Sequence, residues 1–232
     1  MLKKMNIYFF GNNKPFLWFR GLMGTLGMIT TFYAFTVMSL TDAITLLQLA
    51  PFFTFLLAGI FLQEKLSLRQ LPFFIFAFLG ALMVMKPGLR IDMLPALIAL
   101  VAAFCTAVVQ ITLRYLRLTD HYLVIINYFA YFSGGVSLII LLLQKSFQLP
   151  SLPDCLVLIL LGGIALLAQI ALTKAYQLAP ANLVSIFTYS QIIFATIFDL
   201  LLYQEIPDLL SMGGAFFIVI SGYLNYKWKT NK

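Results

Sequence analysis

Eight long apolar stretches divide this chain of 232 residues, and they leave little freedom about what it can fold into. Crossing about 30 Å of hydrocarbon takes roughly 20 helical residues. By that ruler the sequence predicts helix A at 16–39, B at 43–62, C at 71–86 and D at 93–113, then E at 122–144, F at 155–177, G at 183–203 and H at 209–226. Barrel strands would be about 10 residues long and alternate in polarity, which these runs do not. The expected fold is therefore all-α, a polytopic membrane bundle of eight transmembrane helices. Composition agrees: 62% of the residues are hydrophobic and 10% charged, against about 25% charged in a soluble domain. Lipid has to be the solvent for much of this surface. Helix C is the shortest, and Pro51 inside B predicts a kink or local unwinding there.

The formal charge of +7 sits in short loops between apolar runs, not along one helix face or in a tail. That placement fits a topology signal and excludes nucleic acid as a partner. One side of the membrane would hold Lys3, Lys4, Lys14, Lys65, Arg69, Arg114, Arg117, Lys227, Lys229 and Lys232, the other Lys86, Arg90 and Lys145. This puts both termini in the cytoplasm, as an even helix number requires. Cys105 and Cys155 form no CxxC or Cys/His cluster, so no disulfide framework, metal site or cofactor is expected. The basic segment Met1 to Tyr8 runs into an apolar stretch of spanning length, which reads as a membrane helix and not as a cleaved signal.

Shifted against itself by 141 positions, the chain repeats. Gln63-Glu64 falls on Gln204-Glu205, Ala34 on Ala175, Tyr33 on Lys174 and Gly21 on Gly162, and the polar breaks around B and C align with those around G and H. A-B-C then corresponds to F-G-H. Residues 1–91 form a partial first repeat of three helices and 92–232 a second of five, with two helices missing before residue 1. A five-helix unit has an odd number of crossings, so successive copies insert upside down, the inverted-repeat plan of many secondary transporters.

The first copy carries Arg20-Gly21, Phe32-Tyr33-Ala34, Ser39-Leu40-Thr41-Asp42-Ala43, Pro51-Phe52-Phe53-Thr54, Glu64-Lys65-Leu66-Ser67 and Lys86-Pro87-Gly88. The second carries Ala175-Tyr176, Ala179-Pro180-Ala181, Tyr189, Glu205 and Gly222. In these residues, taken in order and spacing, the chain resembles the EamA type of the drug/metabolite transporter superfamily. The resemblance implies two inverted five-helix repeats, of which this chain has three plus five helices. It also implies movement of amino acids, nucleotide-related compounds, drugs or other metabolites across the inner membrane.

Ionisable residues within spans are default functional candidates because they are costly there. Lys174 could bind a carboxylate or phosphate, or snorkel to the interface. Asp199 could couple protons, or bond locally. Arg20, one turn into helix A, reads as an interfacial anchor or as the partner of an acid, and Glu64 and Glu205 as structural groups at equivalent helix ends. Amides and phenols in hydrocarbon must face protein or a cavity. The expected substrate pathway accordingly draws on Tyr33, Gln48, Gln110, Asn127, Tyr128, Gln169, Lys174, Tyr189 and Gln191, with Tyr131 in the wider set. The glycine strip Gly21, Gly24, Gly27 and the pairs Gly134-Gly135 and Gly162-Gly163 suggest close helix packing.

These features point to a secondary transporter of small molecules working by alternating access between the two repeats. A truncated remnant or an accessory membrane subunit is the alternative, and association as a homodimer stays open. A membrane-embedded enzyme fits less well. The one histidine, His121, lies in a loop, and no intramembrane pair of acids stands out, so no catalytic residues are assigned.

Overall fold

The computed structural model describes residues 10–38, 40–64, 68–85, 93–144, 150–203 and 208–230. Among them there is no strand. Ten α-helices follow in order: α1 Lys14–Val37, α2 Leu40–Leu47, α3 Ala50–Leu62, α4 Leu71–Met85, α5 Met93–Leu116, α6 Tyr122–Gln144, α7 Leu152–Leu178, α8 Ala181–Phe187, α9 Ser190–Tyr203 and α10 Leu209–Thr230. They correspond to the eight expected spans, with B divided into α2 and α3 and G into α8 and α9. Five stretches, 42–62, 93–116, 122–143, 152–178 and 209–228, are long and apolar enough to cross a membrane. The chain is a polytopic helical membrane protein. The loop residues Lys65 to Ser67 and Lys86 to Gly88, and Glu205, lie outside the described residues, as does the side chain of Asp199.

Both breaks are single turns in which i→i+4 bonding gives way to i→i+3. In the first, Leu49 donates its amide to Leu46 and Phe52 to Leu49; in the second, Tyr189 donates to Ile186 and Ile192 to Tyr189. Pro51 opens α3 in its first turn, where a missing N–H costs nothing. The second break has no proline and was not expected from the sequence. There the hydroxyls of Thr188 and Ser190 bond back to the carbonyls of Ser185 and Phe187, a competition that loosens helices. Helix α7 starts three residues before the expected 155. Ser151 and Asp154 form a reciprocal capping box with Pro153 in the first turn, so Leu152-Pro153 belongs to the helix and not to the loop.

The chain forms two compact units, residues up to Thr25 with Thr112–Ala179, and Leu26–Ile111 with Pro180–Lys232. In the first, the turn before α1 is pinned at one end. Asp120 accepts the amides of Asn12 at 2.6 Å and Asn13 at 3.1 Å, Tyr128 donates its hydroxyl to the Phe10 carbonyl, and Arg114 donates to the carbonyl of Gln177. Gly11 sits at φ +66, a conformation that favours glycine. Along α7 the apolar side chains from Leu156 to Leu167 are mostly exposed, and only Thr173 and Tyr176 are buried. A soluble protein could not leave such a face open, whereas hydrocarbon solvates it.

In the second unit α4 and α10 pack antiparallel. Gln70 donates its amide to Asn225 at 2.9 Å at one end, and Gly80 meets Gly214 backbone to backbone further along. Around this pair lies a core of Phe55, Phe74, Ala77, Ala81, Ile186, Tyr189, Ile192 and Ile218. Gly21, Gly24 and Gly27 do face neighbouring side chains, as their spacing suggested. Gly134, Gly135, Gly162 and Gly163 do not: nothing lies within 4 Å of where a Cβ would sit, so close packing does not explain them.

Candidate functional site

Two helices of the second unit are interrupted, and polar side chains gather where they are. Gln48 and Leu49 separate α2 from α3, and Thr188 and Tyr189 separate α8 from α9. At a break the carbonyls lose their helical partners and need others. Tyr189, fully buried, donates its hydroxyl to the Gln48 carbonyl at 2.9 Å. Gln191 donates its side-chain amide to the Gln48 Oε1, also at 2.9 Å, while the Gln48 Nε2 is buried without a hydrogen-bond partner. Tyr189 and Gln48 are 141 positions apart, the offset at which the sequence leads one to expect a repeat.

A second polar pair lies on α3 and α5 of the same unit. The Thr54 hydroxyl, fully buried, lies 2.5 Å from Gln110 Oε1 and 2.9 Å from the Ala50 carbonyl, two acceptors that share its one proton. Close by in sequence, Glu64 ends the first broken helix and caps the second. Its carboxylate accepts the amides of Ala181 at 3.0 Å and Asn182 at 3.4 Å, the first two residues of α8. A negative charge at a helix N-terminus is favourable, and the structural role expected of Glu64 follows from this geometry.

Of the pathway residues expected from the sequence, Gln48, Tyr189 and Gln191 come together at the crossing, and Gln110 joins Thr54. Tyr33 is half exposed on α1. Gln169 belongs to the first unit, where it accepts a hydrogen bond from Arg20 at 3.2 Å. Asn127, Tyr128 and Tyr131 line an aromatic cleft of about 500 Å³ with Phe10, Trp18 and Phe132. Lys174 is exposed, its ammonium 4.5 Å over the Tyr122 ring. Burial, helped by the charge of Lys174, holds the His121 imidazole in the adjoining loop below its ordinary pKa. No group of three or more His, Cys, Asp or Glu that could hold a metal occurs among the described residues.

Two buried polar residues were not nominated from the sequence: Thr54 reads as one more small residue in an apolar run, and Asp120 as a loop acid. Arg20, read from the sequence as an interfacial anchor, is 1% exposed inside the first unit; its position one full turn into a span was the signal that marked it.

Comparison with known proteins places this geometry. The model of the EamA-like transporter family matches residues 3–86 and 93–227. Solute carrier family 35 member G1 of Mus musculus is 33% identical over 220 residues, covering 89% of this chain and 60% of that protein. The pseudopaline exporter CntI of Pseudomonas aeruginosa is 31% identical over 209 residues, covering 89% of this chain and 73% of that one. An uncharacterized transporter of Helicobacter pylori is 30% identical over 215 residues and is covered to 71%. A solved crystal structure shares the fold at a TM-score of 0.76 and 16% identity, over 88% of this chain and 74% of its own. The chain thus spans about 60% to 73% of the length of these curated relatives. With a family match over most of its length, and relatives that are membrane transporters, the chain belongs to the EamA-like transporter family.

Proposed function

We propose that this protein is a secondary transporter that moves a small metabolite by alternating access between two inverted repeats, residues 1–91 and 92–232. The observation that carries this reading is the crossing of two broken helices at Gln48 and Tyr189. Discontinuous helices at a repeat interface are a recurrent way to present backbone and side-chain polar groups to a substrate within a membrane. The crossing supplies a buried amide donor on Gln48, a phenol and a second amide. The charge distribution of the loops supports both termini in the cytoplasm, and the family resemblance supports an inner-membrane location.

The test is flux in proteoliposomes containing the purified chain, screened with labelled amino acids, nucleotide-linked metabolites and organic cations. The expected result is saturable flux of one class, reduced at least tenfold by Gln48→Ala, equivalent to about 1.4 kcal/mol of transition-state stabilisation. Well-folded protein that moves none of these compounds would favour an accessory role.

A further inference from the structure

Arg20 is a cation in the first unit that no described residue neutralises. It is 1% exposed, and of its three guanidinium nitrogens only Nη2 has a hydrogen-bond partner, the neutral Gln169 Oε1 at 3.2 Å. Nε and Nη1 have none, which leaves three N–H donors idle. The remaining contact is the Phe129 ring, 4.1 Å from Cζ, which offers a π-face and no charge. No carboxylate among the described residues bonds to it. Burying an ion without a counterion is among the most expensive arrangements a protein can hold, so an unpaired one points to a partner from outside the chain.

The surroundings hold the guanidinium in place and add further polar groups. Gly24, one turn along α1, leaves the room Nη1 occupies: a Cβ there would stand 2.5 Å from it and 2.9 Å from the Phe129 ring. On α7 the helical spacing sets Gln169, Thr173 and Tyr176 on one face. Thr173 and Tyr176 are fully buried, and their hydroxyls have no hydrogen-bond partner. The Gln169 oxygen is engaged by Arg20, so what this face still offers is donors. Positive charge with idle N–H and O–H groups is the chemistry that recognises an oxyanion, and a guanidinium matches carboxylate or phosphate geometry.

We infer that Arg20, with the α7 face bearing Gln169, Thr173 and Tyr176, forms an oxyanion site that takes the carboxylate or phosphate of the transported compound. This rests on the transport reading for the identity of its occupant, though binding itself does not require flux. A lipid headgroup phosphate presents the same chemistry, and the test separates the two sources.

The full chain is placed in phosphatidylcholine nanodiscs and its thermal midpoint followed while succinate, L-glutamate or inorganic phosphate is titrated at matched ionic strength against chloride. At least one of the three is expected to raise the midpoint saturably. Arg20→Gln is expected to weaken that binding by roughly 30-fold or more, and Arg20→Lys to restore it only in part. Arg20→Gln without ligand should melt at or above the wild type, because the uncompensated charge is gone; a structural arginine would do the opposite. If phosphatidylglycerol nanodiscs raise the wild-type midpoint, abolish the response to soluble anions and leave Arg20→Gln unmoved, the site holds and its occupant is a headgroup. Equal responses in wild type and Arg20→Gln, or no response to any of the anions or to phosphatidylglycerol, overturn it. Flux without anion binding would sink the site and spare the transport reading; Arg20-dependent binding without flux would do the reverse.

Discussion

In the second unit Gly80 faces Gly214 backbone to backbone, and this makes a demand that can be measured. A Cβ on residue 214 would lie 2.5 Å from the Gly80 carbonyl oxygen and 2.8 Å from Val84 Cγ2; one on residue 80 would lie 2.6 Å from the Gly214 oxygen. Ordinary contact begins near 3.4 Å. The obstacle is backbone, which no rotamer change can clear, so Gly214→Ala must part α4 from α10 by about 0.9 Å. Phe74, Ala77, Ala81 and Ile218, buried against this pair, then lose close contact. Overpacking of this kind costs about 1–3 kcal/mol, a roughly 5- to 150-fold fall in the folded-to-unfolded ratio. The assay is reversible unfolding in mixed micelles titrated with dodecyl sulfate, followed by tryptophan fluorescence. The double variant Gly80→Ala/Gly214→Ala should cost less than the two singles together, because helices already parted accept the second methyl more easily. Gly162→Ala, where nothing lies within 4 Å, should be neutral or gain up to about 1 kcal/mol from helix propensity. Gly214→Ala as stable as wild type, or Gly162→Ala as costly as Gly214→Ala, would refute the packing argument.

Three further expectations follow from named contacts. Glu64→Gln should lower stability by about 1 kcal/mol by weakening the cap on α8, read in the same micelle titration. Gly11→Ala should cost more, since φ is +66 and a Cβ would collide with Leu17 Cδ1; proteolysis of the turn before α1 reports the loss. His121 should titrate below its ordinary 6.5, mainly through burial and then through Lys174. The folded state then binds fewer protons than the unfolded, so this contribution to stability is present above pH 6.5 and lost as pH falls through the window beneath it. Lys174→Gln should move the imidazole resonance, followed by NMR, only part of the way back.

Much of this architecture was legible in the sequence because lipid imposes one dominant constraint, a helix of spanning length, and the apolar runs report it directly. The start of α10 at Leu209 and the end of α3 at Leu62 coincide with the expected boundaries. The first break could be anticipated from Pro51, whose missing N–H limits where a helix can pass. The second could not, since Thr188 and Ser190 disrupt a helix only when their hydroxyls turn back to the carbonyls, a choice packing makes. The α7 start was misplaced because Pro153 reads equally as a loop residue and as a first-turn residue until the Ser151–Asp154 cap is seen. Glycine pairs carried no signal of which helix they would face: Gly80 and Gly214, far apart in sequence, meet, while Gly162-Gly163 face open space. For the site, residue type was enough to nominate Gln48, Tyr189 and Gln191, but their hydrogen bonds depend on two breaks meeting in space. The burial of Arg20 inside the first unit was not legible because sequence gives depth along a helix and not the face it presents.

The central claim, that the crossing of the broken helices lies on an alternating pathway, is tested most directly by cysteine accessibility. In a background with Cys105 and Cys155 replaced, Gln191→Cys stands at the crossing on an exposed side chain. It is reacted with a membrane-impermeant thiol reagent applied from one side of sealed proteoliposomes and then from the other. The account expects modification from both sides, slowed from both by the compound that the flux screen identifies. Modification from one side only, or none in folded protein, would contradict it.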